Sequence, residues 1–260
     1  MSATIKLFSF AIVFLLICTT NIQAHSGCPS ATVGGPYRKL VSNTGYRKAE
    51  GNITLPTVNL VDFDDDGKPD DVGYIHFGGS AWNSAHTAHT EIDAGMKLEI
   101  IPGNTQSYKW RPFVAVSGVG EIALTNKPFI DPGTAITLRF FVDSTADGYV
   151  KIQVVYNGTT WTSQQISAPY WTNAGTYQQL KRVNSLGQRF PGNKGSSVAS
   201  ARWTNLLLGN QTTSGYWTSA KTTSVCTQPT GTADPSPYVV DVLVNAAYYD
   251  ETISINTLNW

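Results

Sequence analysis

The chain is short of charge, of sulfur and of any run that could form a long helix. Charged residues make up 14% of its 260 residues, with 18 basic and 18 acidic side chains. No basic cluster breaks this balance, so there is no track for a phosphate backbone and nucleic acid is excluded as an expected partner. No stretch carries an apolar stripe at helical spacing. Beyond the first two dozen residues, no segment is apolar for long enough to span a bilayer. Glycine, threonine, serine, asparagine and aromatic residues are abundant instead, and these are the residues of strands and tight turns.

The first 24 residues have the layout of a secretory leader. Lys6 supplies a positive charge, Leu7 to Cys18 form a short apolar run, and Ala24 is a small residue suited to cleavage before His25. Secretion to the extracellular space is the expectation. Removing the leader takes Cys18 with it and leaves Cys28 and Cys226. In an oxidising compartment two such cysteines pair; two free thiols are the alternative.

Residues 25–51 are rich in Gly, Ser, Pro and Asn and read as an N-terminal arm or edge strand. Residues 52–260 read as a single domain. Within it, short runs of β-branched and aromatic residues recur, among them Thr57–Phe63, Val72–Phe77, Thr90–Pro102, Lys109–Val116, Leu180–Leu186, Arg202–Leu208 and Tyr238–Val244. Ile136, Leu138, Phe140 and Val142 alternate with polar residues, and Val150, Ile152 and Val154 repeat the scheme after a turn at Ser144–Gly148. Many strands with one apolar face each, separated by turn chemistry, predict an all-β, antiparallel two-sheet β-sandwich of jelly-roll type.

The most specific local pattern is Asp62-Phe63-Asp64-Asp65-Asp66-Gly67-Lys68-Pro69-Asp70. Carboxylates at relative positions 1, 3, 5 and 9, with glycine at 6 for the sharp turn, are how a short loop wraps oxygen ligands around calcium. Asp62, Asp64, Asp66 and Asp70 are the candidate ligands, with the backbone carbonyl of Lys68. Position 12 is Gly73, where a helix-loop-helix site needs a bidentate glutamate, so the loop resembles the hairpin calcium loops of integrin-type repeats more closely. Six aspartates within ten residues repel one another strongly without a cation. A solvated acidic turn is the alternative.

Several phrases occur in order: Glu91-Ile92-Asp93-Ala94-Gly95-Met96-Lys97, Trp110-Arg111-Pro112-Phe113, Leu180-Lys181-Arg182-Val183-Asn184-Ser185-Leu186-Gly187-Gln188, Arg202-Trp203-Thr204-Asn205-Leu206 and Tyr216-Trp217-Thr218-Ser219-Ala220. Together they resemble the secreted bacterial YrpD-like proteins over roughly residues 70–258. The resemblance implies export and one β-sandwich domain, and no activity.

Candidate ligand-facing residues are His76, Glu91, Asp93, Tyr156 and Trp161. Glu91 and Asp93 share a strand face and resemble the start of a glucanase Glu-x-Asp-x-x-Glu strand, but Met96 stands where the second glutamate is needed. Tyr149 to Tyr156 is similar to the Tyr-x-Lys-x-Gly-x-Tyr strand of jelly-roll alginate lyases, with the second tyrosine displaced onto the other face. His76, His86 and His89 could hold zinc with a carboxylate only if a loop turned them together. Trp82, Trp161, Trp171 and Trp217 lie in polar surroundings where an exposed indole could stack on a sugar. Asn52, Asn157 and Asn210 begin glycosylation sequons. The broken catalytic patterns favour a non-catalytic protein that binds a polysaccharide or surface glycan. A polysaccharide-degrading enzyme, and a secreted structural, toxin-like or immunogenic protein acting by protein contacts, are the alternatives.

Overall fold

In the computed structural model, residues 28, 35–62, 69–101, 104–188, 195–210, 212–229, 238–245 and 247–257 are described. Their strands are β1 (Tyr37–Thr44), β2 (Lys48–Thr54), β3 (Val58–Asn59), β4 (Asp71–Trp82), β5 (His89–Ile101), β6 (Asn104–Val116), β7 (Gly120–Glu121), β8 (Ala135–Val142), β9 (Tyr149–Tyr156), β10 (Thr159–Thr162), β11 (Ile166–Ser167), β12 (Gln178–Gln188), β13 (Ser197–Gly209), β14 (Ser214–Tyr216), β15 (Thr222–Gln228), β16 (Tyr238–Val244) and β17 (Glu251–Thr257). A single 3₁₀ turn, Ser219–Lys221, is the one helical element among the described residues.

The strands form an antiparallel two-sheet β-sandwich. Sheet A runs β15-β1-β12-β4-β5-β6-β7, and sheet B runs β10-β9-β8-β2-β13-β17-β16 with β3, β11 and β14 attached at its margins. Alternation is the local cause. In β8, Ile136, Leu138, Phe140 and Val142 are buried while their neighbours are half-exposed, and β9 repeats the pattern and pairs with it as the predicted hairpin. Between the sheets lie Leu40, Ile75, Phe77, Ile92, Met96, Trp110 and Leu180 from sheet A, and Ile53, Leu138, Phe140, Ile152 and Trp203 from sheet B. Each such side chain stabilises the fold by roughly 1.5–3 kcal/mol through burial.

The reading of residues 25–51 as an arm or edge strand is corrected for its described part. β1 lies between β15 and β12, and β2 lies between β8 and β13, so both are interior strands. Turn-rich composition hid them, yet Arg38, Leu40 and Ser42 alternate inward along β1 and Ala49, Gly51 and Ile53 along β2. Of the described residues in the run from Thr57 to Phe63, only Val58–Asn59 is strand, β3. There the chain leaves the sheet toward the acidic loop, and Val61 N–H donates to the Ser196 hydroxyl at 3.1 Å. Cys28 and Cys226 form a disulfide that ties the N-terminal segment to β15, closing a separation of 198 residues.

Candidate functional site

The outward face of sheet A collects the chemistry. Because side chains alternate along a strand, the residues of β4 that point away from the core are Tyr74, His76, Gly78, Ser80 and Trp82. Register places Lys97, Gly95, Asp93, Glu91 and His89 of β5 beside them in the same order. On the other side β12 sets Ser185, Val183, Lys181 and Gln179 against Tyr74, His76, Gly78 and Ser80. β1 adds Tyr37, Lys39 and Val41, and β6 adds Arg111 and Phe113.

Two glycines form the floor of this face. A Cβ on Gly78 would stand 1.9 Å from the Ile92 carbonyl oxygen, and one on Gly95 would stand 2.3 Å from that of Ile75. The strands approach too closely there for any side chain, and longer neighbours fold across the gap. Lys181 Nζ lies 2.5 Å from Glu91 Oε1 and 2.8 Å from Asp93 Oδ1, while His76 Nε2 lies 3.2 Å from the same Asp93 oxygen. Tyr74 and Phe113 meet the His76 ring edge-on at 6.4 and 5.7 Å between centroids. The side chains of His76 and Lys181 are only 8% and 13% exposed, whereas Glu91 and Asp93 reach solvent at 47% and 37%.

This network sets its own charges. Burial works against the ionised form of Asp93, but Lys181 and His76 outweigh it and hold the carboxyl well below the usual range. Burial likewise disfavours the charged Lys181, and Asp93 and Glu91 override it to hold the ammonium protonated. Lys39, facing the same cluster, is pushed down by its own burial and then by Lys181. Asp93 is thereby held as the carboxylate and Lys181 as the ammonium.

The strip ends in aromatic rings. Trp82 lies one row beyond Ser80 and Glu91, its ring 6.4 Å from those of His86 and His89. His86 in turn meets Tyr177 edge-on at 5.3 Å. A partly exposed polar cluster beside a ledge of half-exposed and exposed rings can donate and accept hydrogen bonds while presenting flat apolar surface.

The sequence-predicted residues divide between places. His76, Glu91 and Asp93 converge. Tyr156 and Trp161 belong to sheet B, where Tyr156 packs against the core and the Trp161 indole N–H donates to the Thr125 carbonyl at 3.3 Å. Tyr156 therefore does not join His76 on the outward face of sheet A. Trp171 and Trp217 are fully buried and offer no surface for stacking. Their polar sequence neighbours misled because an indole N–H buries well once it has an acceptor, here the Thr90 carbonyl at 3.3 Å and the Thr222 hydroxyl at 3.0 Å. Lys181, Lys39, Tyr74 and Phe113 carried no local signal of a site.

Of the calcium-loop residues, Asp64, Asp66 and Lys68 lie outside the described residues. Asp62 is half-buried and Asp70 is buried, and the Asp70 N–H donates to the Val61 carbonyl at 3.2 Å. Among the described residues, no group of three or more His, Cys, Asp or Glu side chains is arranged to hold a metal. Asn157 is exposed in the β9–β10 turn, Asn52 accepts a hydrogen bond from Thr137 on the outer face of sheet B, and the Asn210 side chain closes a turn by accepting from Thr212 and Thr213.

No family model matches the chain. No curated protein matches it either. Among solved structures, a scytalido-glutamic peptidase bound to a transition-state analog inhibitor is similar at a TM-score of 0.50 and 8% identity, covering 86% of this chain and 98% of that one. An alginate lyase in complex with alginate trisaccharide matches at 0.39 and 12%, covering 67% and 74%. A β-porphyranase from the human gut bacterium Bacteroides plebeius matches at 0.23 and 9%, covering 55% and 54%. At these identities the first of them speaks to the fold alone: a jelly-roll sandwich.

Proposed function

We propose that the protein is a secreted binding module whose sheet A face takes a polysaccharide or cell-surface glycan without cleaving it. The observation that carries this reading is the row from Lys181 and His76 through Asp93 and Glu91 to the Trp82, His86 and Tyr177 ledge. Hydroxyl-rich ligands need closely spaced donors and acceptors beside a flat ring, and this face supplies both. Its carboxylate and ammonium neutralise one another, so they can hydrogen-bond a sugar without serving as a proton-transfer pair. Secretion is supported by the leader-like N-terminus and by the disulfide. No helix of the described residues is long and apolar enough to cross a membrane.

The test is a glycan array with the mature protein, followed by titration of the best ligand against Lys181→Ala and Trp82→Ala. Each variant should weaken binding about tenfold, which corresponds to ~1.4 kcal/mol, and no new reducing ends or unsaturated products should form. Product release would favour the polysaccharide-degrading enzyme. An array with no ligand would favour a role through protein contacts.

Calcium belongs to the same reading as a structural ion in the loop from Asp62 to Asp70. The backbone hydrogen bond from Asp70 to Val61 supports it by joining the two ends of the loop.

A further inference from the structure

The interior holds a charge imbalance that the ligand face does not explain. Glu251 opens β17 and is fully buried between the sheets. Glu251 Oε1 accepts from Arg38 Nη2 at 2.6 Å, while Oε2 accepts from both Arg38 Nε at 3.4 Å and Arg182 Nη2. Arg38 Nη1 donates to the Thr227 hydroxyl at 2.9 Å. Two guanidinium groups thus share one carboxylate, leaving one net positive charge in a site where Arg182 and Glu251 have no exposed surface.

The unmade hydrogen bonds of this cluster are all on one side of the ledger. Arg182 Nε and Nη1 and Asn184 Nδ2 are buried without partners. Asn184 follows Arg182 by two residues and so shares its inward face of β12. Its carbonyl oxygen is occupied by the Trp203 indole N–H at 2.6 Å, and the Trp203 ring lies 5.8 Å from the Arg182 guanidinium carbon. Every unpartnered side-chain atom here is a donor. Burial disfavours the charged Arg182, Glu251 offsets this, and Arg38 works against it again. A buried water would accept from these donors but bring two more O–H groups needing acceptors. A small anion accepts only, and it also cancels the residual charge, which is otherwise costly to bury.

We infer that one small monovalent anion of halide size binds between the sheets beside Arg182 and Asn184, held by the unpartnered Arg182 N–H groups and the Asn184 amide. The anion completes a structural cluster of two guanidinium groups, one carboxylate and one halide.

Thermal unfolding of the intact protein, compared in sodium chloride and sodium gluconate at fixed ionic strength, tests the site. The midpoint should rise with chloride at constant total salt, because an ion bound only by the folded state stabilises it by mass action. Asn184→Leu, which keeps both arginines, should flatten that dependence, as should Arg182→Met. Crystals grown in sodium bromide should give an anomalous peak against Arg182. If Arg182→Met does not fold, Asn184→Leu and the bromide peak decide. A midpoint indifferent to chloride with no bromide peak at Arg182 overturns the inference in favour of water. A chloride dependence that persists in Asn184→Leu, with bromide found only elsewhere, overturns it too.

Discussion

Among the described carboxylates, Asp93 and Asp143 are held furthest below the usual range by their surroundings. Asp143, almost buried at the end of β8, is held well below the usual carboxylate range first by Lys151, at 2.8 Å, and then by the Thr145 N–H, Gln165 and the Thr145 hydroxyl. An unfolded aspartate takes up its proton near pH ~3.9, while these two resist protonation to lower pH in the fold. The folded state then binds fewer protons than the unfolded chain, so their contribution is complete above that value and is lost as pH falls. Denaturant midpoints should therefore drop between pH 5 and pH 3. Asp143→Asn should be less stable than the parent at pH 7 and show a shallower acid limb; parallel pH curves would contradict this assignment. At the same scale, Trp203→Ala should cost about 3–5 kcal/mol, read as a lowered urea midpoint, because it empties a fully buried position and strands the Asn184 carbonyl.

At the level of elements, β4 and β5 are held together through glycines, and this is where the site tolerates least change. Gly95→Val would drive a branched side chain into the Ile75 carbonyl and the His76 backbone, whose Cα lies 2.4 Å from a Cβ built there. The variant should lose stability and glycan binding together. Lys181→Ala should lose binding too, and at pH 7 it should also lower the unfolding midpoint, because it strips Asp93 of the mostly buried ammonium that holds its carboxylate ionised. β1 is tied in a second way, by the disulfide on its neighbour β15. Cys226→Ser should cost about 2–4 kcal/mol, measured as a fall in midpoint that reduction of the parent protein reproduces. How much of the site was legible follows from these elements. His76, Glu91 and Asp93 stand within one hairpin, so a local reading could find them. Lys181 stands 90 residues from Glu91 and joins them only because β12 pairs with β4. Tyr156 shared a suggestive local phrase with known enzymes, but its strand lies in the opposite sheet.

For the whole molecule, the proposed calcium ion would act on the fold rather than on the ligand face. Calcium should raise the unfolding midpoint of the mature protein, chelator should lower it, and Asp64→Ala should remove both effects. An identical midpoint with calcium and with chelator would count against the ion. The same measurement should leave the chloride dependence intact, since the Arg182 cluster lies on β12 between the sheets and shares no residue with the loop.

The amino-acid sequence by itself determined that this chain is built of strands, which face of most strands is apolar, and where the β8–β9 hairpin turns. These are local properties: a period of two places alternate side chains on opposite faces wherever the strand lies. Only the tertiary structure decided strand order and register. It turned a glycine-rich segment into the interior strands β1 and β2, buried Trp171 and Trp217, and laid Lys181 across Gly78 to reach Asp93 and Glu91. Backbone pairing between distant strands is specified by how whole faces pack and not by the residues at the site, so the face carrying the chemistry exists only once both sheets have formed.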